Sequence, residues 1–145
     1  MTNSKQCIDL RSYLFVPGNR PERFPKALDS GADAIIIDLE DAVAAEEKAA
    51  SRRHIEAALD QGLFRSNVPS IYVRINAADT EWFIDDLALI KEAHMLGVML
   101  PKAEHAEQVA RIHEMTEKLC RVIPIIETAT GLINAQAIAQ ADGVE

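Results

Sequence analysis

Short apolar runs recur along the chain, and each is followed by a loop and then a polar stretch with apolar residues at helical spacing. The runs cover residues 13–17, 34–38, 70–74, 97–101 and 121–127. They are continuous rather than alternating and rich in β-branched residues, as strands buried on both faces are. Pro21 and Glu22 suit the start of a first helix and Gly31 its end. The stretch 46–61 carries Ile55, Ala58 and Leu59 at helical spacing and is closed by Gly62. Asp79 or Thr80 is placed to cap a helix with Phe83, Leu87 and Ile90 on one face. Val109, Ile112, Met115 and Leu119 mark a fourth helix, and Thr128 or Thr130 caps a fifth that runs through Ala141.

Five successive βα units predict a parallel sheet with right-handed crossovers. Two architectures satisfy that pattern: an open doubly wound sheet, or part of a (β/α)8 TIM barrel. No low-complexity stretch or linker interrupts the chain, so residues 1–145 read as one domain. The tail Asp142-Gly-Val-Glu145 reads as a loop entering a sixth strand.

Composition narrows the partners. Fifteen Lys and Arg against twenty-three Asp and Glu leave a net charge of −8, which argues against nucleic acid or an anionic membrane. At 48% apolar and 26% charged residues the chain has a globular balance. No apolar run reaches the ~18 residues of a membrane span. The first ten residues carry neither the apolar stretch of a signal peptide nor the Arg-rich face of a transit peptide. Cys7 and Cys120 have no metal or redox spacing, and the expected compartment is a reducing cytoplasm.

In parallel α/β folds chemistry sits at the C-terminal ends of strands. Those ends read Pro17-Gly-Asn-Arg20, Asp38-Leu-Glu-Asp41, Arg74-Ile-Asn76, Pro101-Lys-Ala-Glu104 and Glu127-Thr128. Glu127 follows the most apolar run, where a carboxylate must be paired, protonated or bound to a cation. Mg2+ suits it, since that ion takes one or two protein carboxylates and completes its shell with water and substrate. A salt bridge to Arg74 is the plainer alternative. The Arg74 guanidinium has the fork that grips a substrate carboxylate, or it serves a structural ion pair. Asp38 and Glu40 fall on one face of their strand and sit together best beside a cation, whereas Asp41 reads as the cap of the next helix. Arg20, Arg23 and Lys26 gather positive charge near a helix start, where a phosphate can bind or water can simply solvate them. His54, His94, His105 and His113 fall in helical stretches without metal spacing and read as surface or packing residues. No Ser-His-Asp order, P-loop or GxGxxG is present.

Five segments carry a resemblance: Arg11-Ser-Tyr-Leu-Phe-Val-Pro-Gly18, Asp38-Leu-Glu-Asp-Ala-Val43, Val73-Arg-Ile-Asn76, Leu100-Pro-Lys102 with Glu104, and Ile126-Glu-Thr-Ala129 with Gly131. In order and spacing they resemble the citrate lyase beta-subunit and malyl-CoA lyase (HpcH/HpaI aldolase) family, from about Arg11 to the last residue. The resemblance implies a (β/α)8 barrel of which about five βα units are present, cut at the start of the sixth strand. It implies a Mg2+-dependent carbon–carbon lyase of a β-hydroxyacyl-CoA of the citryl, malyl or citramalyl type, giving an acyl-CoA and an oxo acid. It matches the family's metal-binding Glu to Glu127, and the carboxylate-gripping Arg to Arg74. An aromatic, an Arg and a Lys that contact CoA match Phe15, Arg20 and Lys26. Asp38, Glu40 and Asp41 stand behind the ligands. A homo-oligomer is implied for the full-length form, and the family's second metal ligand, an Asp, falls beyond Glu145. Two other readings stay open: a non-catalytic truncated homologue acting as a binding or assembly module, and a CoA-independent Mg2+ aldolase of oxo acids.

Overall fold

The computed structural model describes residues 10–64, 69–93, 97–117 and 120–145. The readings of Cys7, His94 and Leu119 lie outside them. Five parallel strands form one sheet: β1 (Tyr13–Pro17), β2 (Ala34–Asp38), β3 (Ser70–Arg74), β4 (Gly97–Leu100) and β5 (Val122–Pro124). Between and after them run α1 (Phe24–Leu28), α2 (Lys48–Asp60), α3 (Phe83–Glu92), α4 (Ala106–Thr116) and α5 (Ala129–Ala139), with 3-10 turns at Pro21–Arg23 and Ala45–Glu47.

The strand order is β1-β2-β3-β4-β5, every neighbour in space being the neighbour in sequence. A doubly wound sheet reverses its order at a switch point, and this one does not, so the barrel architecture is the one realised. Val144 bridges to Val122 in parallel, with Val122 N–H donating to the Gly143 carbonyl (2.8 Å) and Glu145 N–H to the Val122 carbonyl (2.9 Å). The tail thus begins a sixth parallel strand beside β5.

Pleating sends alternate side chains to two faces. Ile35, Ile37, Ile71, Val73, Val98, Leu100 and Val122 pack under the helices, against Phe24, Ile55, Phe83, Leu87, Ile90, Val109, Ile112 and Ile138. Ala34, Ile36, Tyr72 and Met99 form a smaller cluster on the concave face. Tyr13 and Phe15 lie on that second face and stay about two-fifths or more exposed, at 41% and 46%. Gly97 is demanded by this packing, because a Cβ there would fall 2.4 Å from the Tyr72 ring.

Local signals fared unequally. Thr128 caps α5, its side chain accepting from Gly131 N–H, and the helix ends at Ala139 rather than at Ala141. Neither Asp79 nor Thr80 caps α3. Its N-cap is Trp82, and the Thr80 hydroxyl instead donates back to the Ala77 carbonyl (2.7 Å), closing a turn before the helix. Asp41 caps neither the 3-10 turn, whose N-cap is Ala44, nor α2, whose N-cap is Glu47. Asp38 closes the loop before them, accepting from the N–H groups of Glu40 (2.8 Å) and Ala42 (3.2 Å).

Candidate active site

Strand register assembles the site. Pro17, Asp38, Arg74, Met99 and Ile123 stand in one row across the sheet, which sets Asp38 beside Arg74. The Arg74 fork closes on Asp38, Nε to Oδ1 at 2.8 Å and Nη2 to Oδ2 at 2.5 Å. Its remaining nitrogen, Nη1, lies 3.2 Å from Glu40 Oε2 and 3.7 Å from Asp41 Oδ2. The Phe15 ring lies against the guanidinium, 5.1 Å from centroid to carbon. Asp38 and Glu40 are both buried, so their charges need these partners. The hydrogen bond from Arg74 to Asp38, with the Coulomb fields of Asp38, Glu40 and Asp41 behind it, raises the Arg74 pKa above its already high ordinary value.

The bidentate fork foreseen for a substrate carboxylate is therefore engaged by Asp38, and Nη1 is the nitrogen left with only loose contacts. Glu127 differs from its sequence reading in two ways. It is exposed at the mouth rather than buried in the apolar run, and its partner is not Arg74. The strand ends at Pro124, three residues earlier, so the chain has already turned outward at Glu127. Glu127 Oε1 accepts from the backbone N–H of Lys102 at 2.8 Å.

Lys102 follows β4 with φ 48°, a left-handed conformation that non-glycine residues adopt at some energetic cost. Its ammonium reaches Glu40 Oε1 at 2.8 Å. That hydrogen bond first, then the charge of Glu40, holds the Lys102 pKa above its ordinary value, with Asp41 and Glu127 adding to it. The second Glu40 oxygen, Oε2, is buried without a hydrogen-bond partner. α5 comes close to this loop because Gly131 has no Cβ, which would otherwise lie 2.3 Å from the Ala103 carbonyl oxygen.

A helix-side layer holds the mouth from below. Lys48 is buried and donates to the carbonyls of Leu39 (2.7 Å) and Glu40 (2.9 Å), over the Trp82 ring. Burial lowers its pKa, opposed by the nearby carboxylates. Asp86 is fully buried and accepts from Asn76 N–H (2.8 Å), Asn76 Nδ2 (2.7 Å) and Arg52 Nη1 (2.8 Å). Burial raises the Asp86 pKa despite those donors.

The remaining site expectations divide. Arg20 is exposed in the first βα loop and paired with Glu22 at 2.7 Å, and Lys26 is exposed on α1. His54 Nδ1 lies 3.2 Å from the Gly18 carbonyl oxygen, His113 Nε2 lies 3.0 Å from that of Cys120, and the His105 N–H donates to Gln108 at the start of α4. All three thus have local structural partners. Lys102, Lys48 and Asp86 received no role from the sequence. A signal existed for two of them: Lys48 and Asp86 occupy core positions in helical period with Ile55 and with Phe83, Leu87 and Ile90.

Among the described residues no three His, Cys, Asp or Glu side chains gather as ligands of one ion. Any metal here is held by one or two carboxylates, with water and substrate completing the shell, which is the habit of Mg2+ and not of structural Zn2+. Within the mouth, two cations, Arg74 and Lys102, face four carboxylates, Asp38, Glu40, Asp41 and Glu127. The formal excess of two negative charges, and the orphaned Glu40 oxygen, fit a divalent cation.

These features define a class: a (β/α)8-type barrel with an acid-rich, arginine-bearing site at the C-terminal ends of its first five strands. Within that class the chain belongs to the HpcH/HpaI aldolase/citrate lyase family, whose pattern matches residues 11–145. It is 36% identical over 134 residues to a (3S)-malyl-CoA thioesterase of Cereibacter sphaeroides, covering 92% of this chain and 46% of that protein. It resembles the citrate lyase beta subunit of Mycobacterium tuberculosis solved with oxaloacetate and magnesium, at TM-score 0.74 and 38% identity, over 91% of this chain and 54% of that one. The same organism's CitE, solved with magnesium, acetoacetate and coenzyme A, matches at TM-score 0.72 and 37% identity, over 91% and 45%. The chain thus spans about half the length of the proteins it matches. Among the described residues no helix is long and apolar enough to cross a membrane.

Proposed function

We propose that this chain forms the oxo-acid and metal end of a Mg2+-dependent carbon–carbon lyase that acts on a β-hydroxyacyl-CoA and releases an acyl-CoA and an oxo acid. The charge balance of the mouth carries this reading, with two cations and four carboxylates converging from four strand ends. Glu127, exposed at the rim, is the residue to hold the ion, and Glu40 and Asp38 stand behind it. A bound Mg2+ supplies Lewis-acid stabilisation of the negative charge that develops when the bond breaks. Arg74 Nη1 faces the mouth and takes the substrate carboxylate, while Asp38 holds the rest of the guanidinium in place. Asp41, the exposed acid beside Nη1, steers its orientation. Phe15 on β1, Arg20 in the first βα loop and Lys26 on α1 suit the acyl arm and phosphates of CoA. The relatives solved with oxaloacetate, acetoacetate and coenzyme A support the same ligand classes.

Titration of the protein with oxaloacetate or glyoxylate, with and without MgCl2, tests this. Metal-linked oxo-acid binding is the expected result, and its absence would favour a binding or assembly module. The malyl-CoA thioesterase relative favours a second reading, hydrolysis of the thioester. Product analysis separates the two, since a lyase releases an acyl-CoA and a thioesterase releases free CoA. Activity that does not require CoA would instead indicate an oxo-acid aldolase.

A further inference from the structure

We infer that Lys102 is a positioning residue with two ends, its backbone N–H setting the Glu127 carboxylate and its ammonium holding one oxygen of Glu40, so that Glu40 does not close fully on Arg74. The inference rests on the metal-binding reading above and goes beyond it, because that reading counts Lys102 only as one charge of the mouth and gives it no positioning role. The geometry is specific. One residue at the end of β4 contacts acids from β2 and β5, on either side of the strand that carries Arg74. Its left-handed backbone, φ 48°, belongs to the turn that directs the N–H toward Glu127 Oε1, and the side chain of the same residue reaches Glu40 Oε1.

Two consequences follow, and they have opposite signs. The ammonium is one of the two positive charges in the mouth. Removing it raises the formal excess from two negative charges to three, and so strengthens the attraction for a divalent cation. At separations of several ångströms in a solvated site this is about fivefold in affinity. Glu40, meanwhile, is shared between Lys102 through Oε1 and Arg74 through Oε2, the latter at 3.2 Å without hydrogen-bond geometry. Freed from Lys102, its carboxylate, already 3.2 Å from Arg74 Nη1, closes into a full hydrogen bond with that nitrogen, the one a substrate carboxylate needs. Oxo-acid affinity then falls. A residue that merely holds the fold together would weaken both ligands alike.

The test is calorimetric titration of the wild type and of Lys102→Met with MgCl2 and, at saturating Mg2+, with oxaloacetate. The expected result is Mg2+ binding tighter by about fivefold, oxaloacetate binding weaker by a comparable factor, and recovery of both values in Lys102→Arg. If Lys102→Met does not fold, Lys102→Gly carries the same test, since glycine adopts φ 48° freely and keeps the N–H toward Glu127. Parallel weakening of both ligands, or no change in either, overturns the inference while leaving the metal site standing. A wild type that binds no Mg2+ overturns the inference and the functional reading together.

Discussion

Replacing Arg74 with Lys removes a planar fork and leaves a point charge, and the structure allows the loss to be apportioned. The guanidinium makes two parallel hydrogen bonds to Asp38, at 2.8 and 2.5 Å, and one looser ion pair to Glu40 at 3.2 Å. It also lies 5.1 Å from the Phe15 ring. A lysine ammonium reaches one Asp38 oxygen, so one charge-assisted hydrogen bond disappears, worth about 1.5–3 kcal/mol. The stacking on Phe15 weakens by about 0.5–1 kcal/mol. Asp38 is buried, yet it keeps the N–H groups of Glu40 and Ala42, so it is not left bare. Stability should therefore drop by about 2–4 kcal/mol, the sum of the two losses. Urea denaturation with an unchanged slope reads this directly. Oxo-acid affinity, measured by calorimetry with Mg2+ present, should fall by about 1–3 kcal/mol because Nη1 is gone. A stability change below about 0.5 kcal/mol, the noise of a surface substitution, would refute the fork as an energetic element. Reduced stability with full oxo-acid affinity would reduce Arg74 to a structural partner of Asp38.

Glu127→Gln should abolish Mg2+ binding in calorimetry while leaving the thermal melt nearly unchanged, because the side chain is exposed and the Lys102 N–H still finds an oxygen to bond. Asp86→Ala should lower stability by about 2–5 kcal/mol, since it leaves two Asn76 donors unpaired in the interior and Arg52 with Asp85 alone. The pH dependence of Asp86 runs opposite to that of an ordinary paired acid. Its folded pKa lies above the ordinary 3.8, so the folded state holds the proton more tightly, and this group lowers stability as pH rises from 3.8 through the folded value. Asp86→Asn should remove that downward component from a stability-versus-pH curve, and an unchanged curve would show the group does not titrate so. Lys26→Ala, alone or with Arg20→Ala, should raise KM for a CoA thioester more than it lowers kcat, because a remote phosphate is bound equally in ground and transition states. A fall in kcat at constant KM would place those residues in the chemistry instead.

The βα alternation was readable because strands buried on both faces write continuous apolar runs, and 34–38 is the clearest of them, with all five residues buried. The choice between open sheet and barrel was not readable from periodicity. It depends on which strands pair, and hydrogen bonds between strands leave no trace in local pattern. Arg74 and Asp38 were each found as strand ends, but their mutual fork required the register that sets them side by side. The misplacement of Glu127 has a similar origin. Its apolar run continues through Ile125 and Ile126, yet the strand ends at Pro124, with Ile125 still bonded to Leu100 and Ala103, and apolar residues past a strand end look like apolar residues in a strand. Asp41 reads as a cap because it lies closest to the helix, whereas the helix is entered without a side-chain cap and Asp38, at the end of the strand, closes the loop before it. Lys102 stands in a strand-end motif of the sequence but takes no role from it, because its contacts depend on a backbone conformation and a reach across the mouth that the motif does not reveal.

The strand order in which each neighbour in space is the neighbour in sequence has a bearing on how the protein comes off the ribosome. Every strand pairs with the one synthesised just before it, so the sheet can grow from one edge without waiting for a distant partner. The ionic groups of the mouth then arrive in a fixed succession. Asp38 and Glu40 emerge first, Lys48 comes soon after beneath them, and the Arg74 fork that pairs with them follows one βα unit later. Lys102 and Glu127 come after that and complete the balance. Full pairing of these acids therefore waits until β3 lies beside β2, and Arg74 matters to the growing sheet as well as to the finished site.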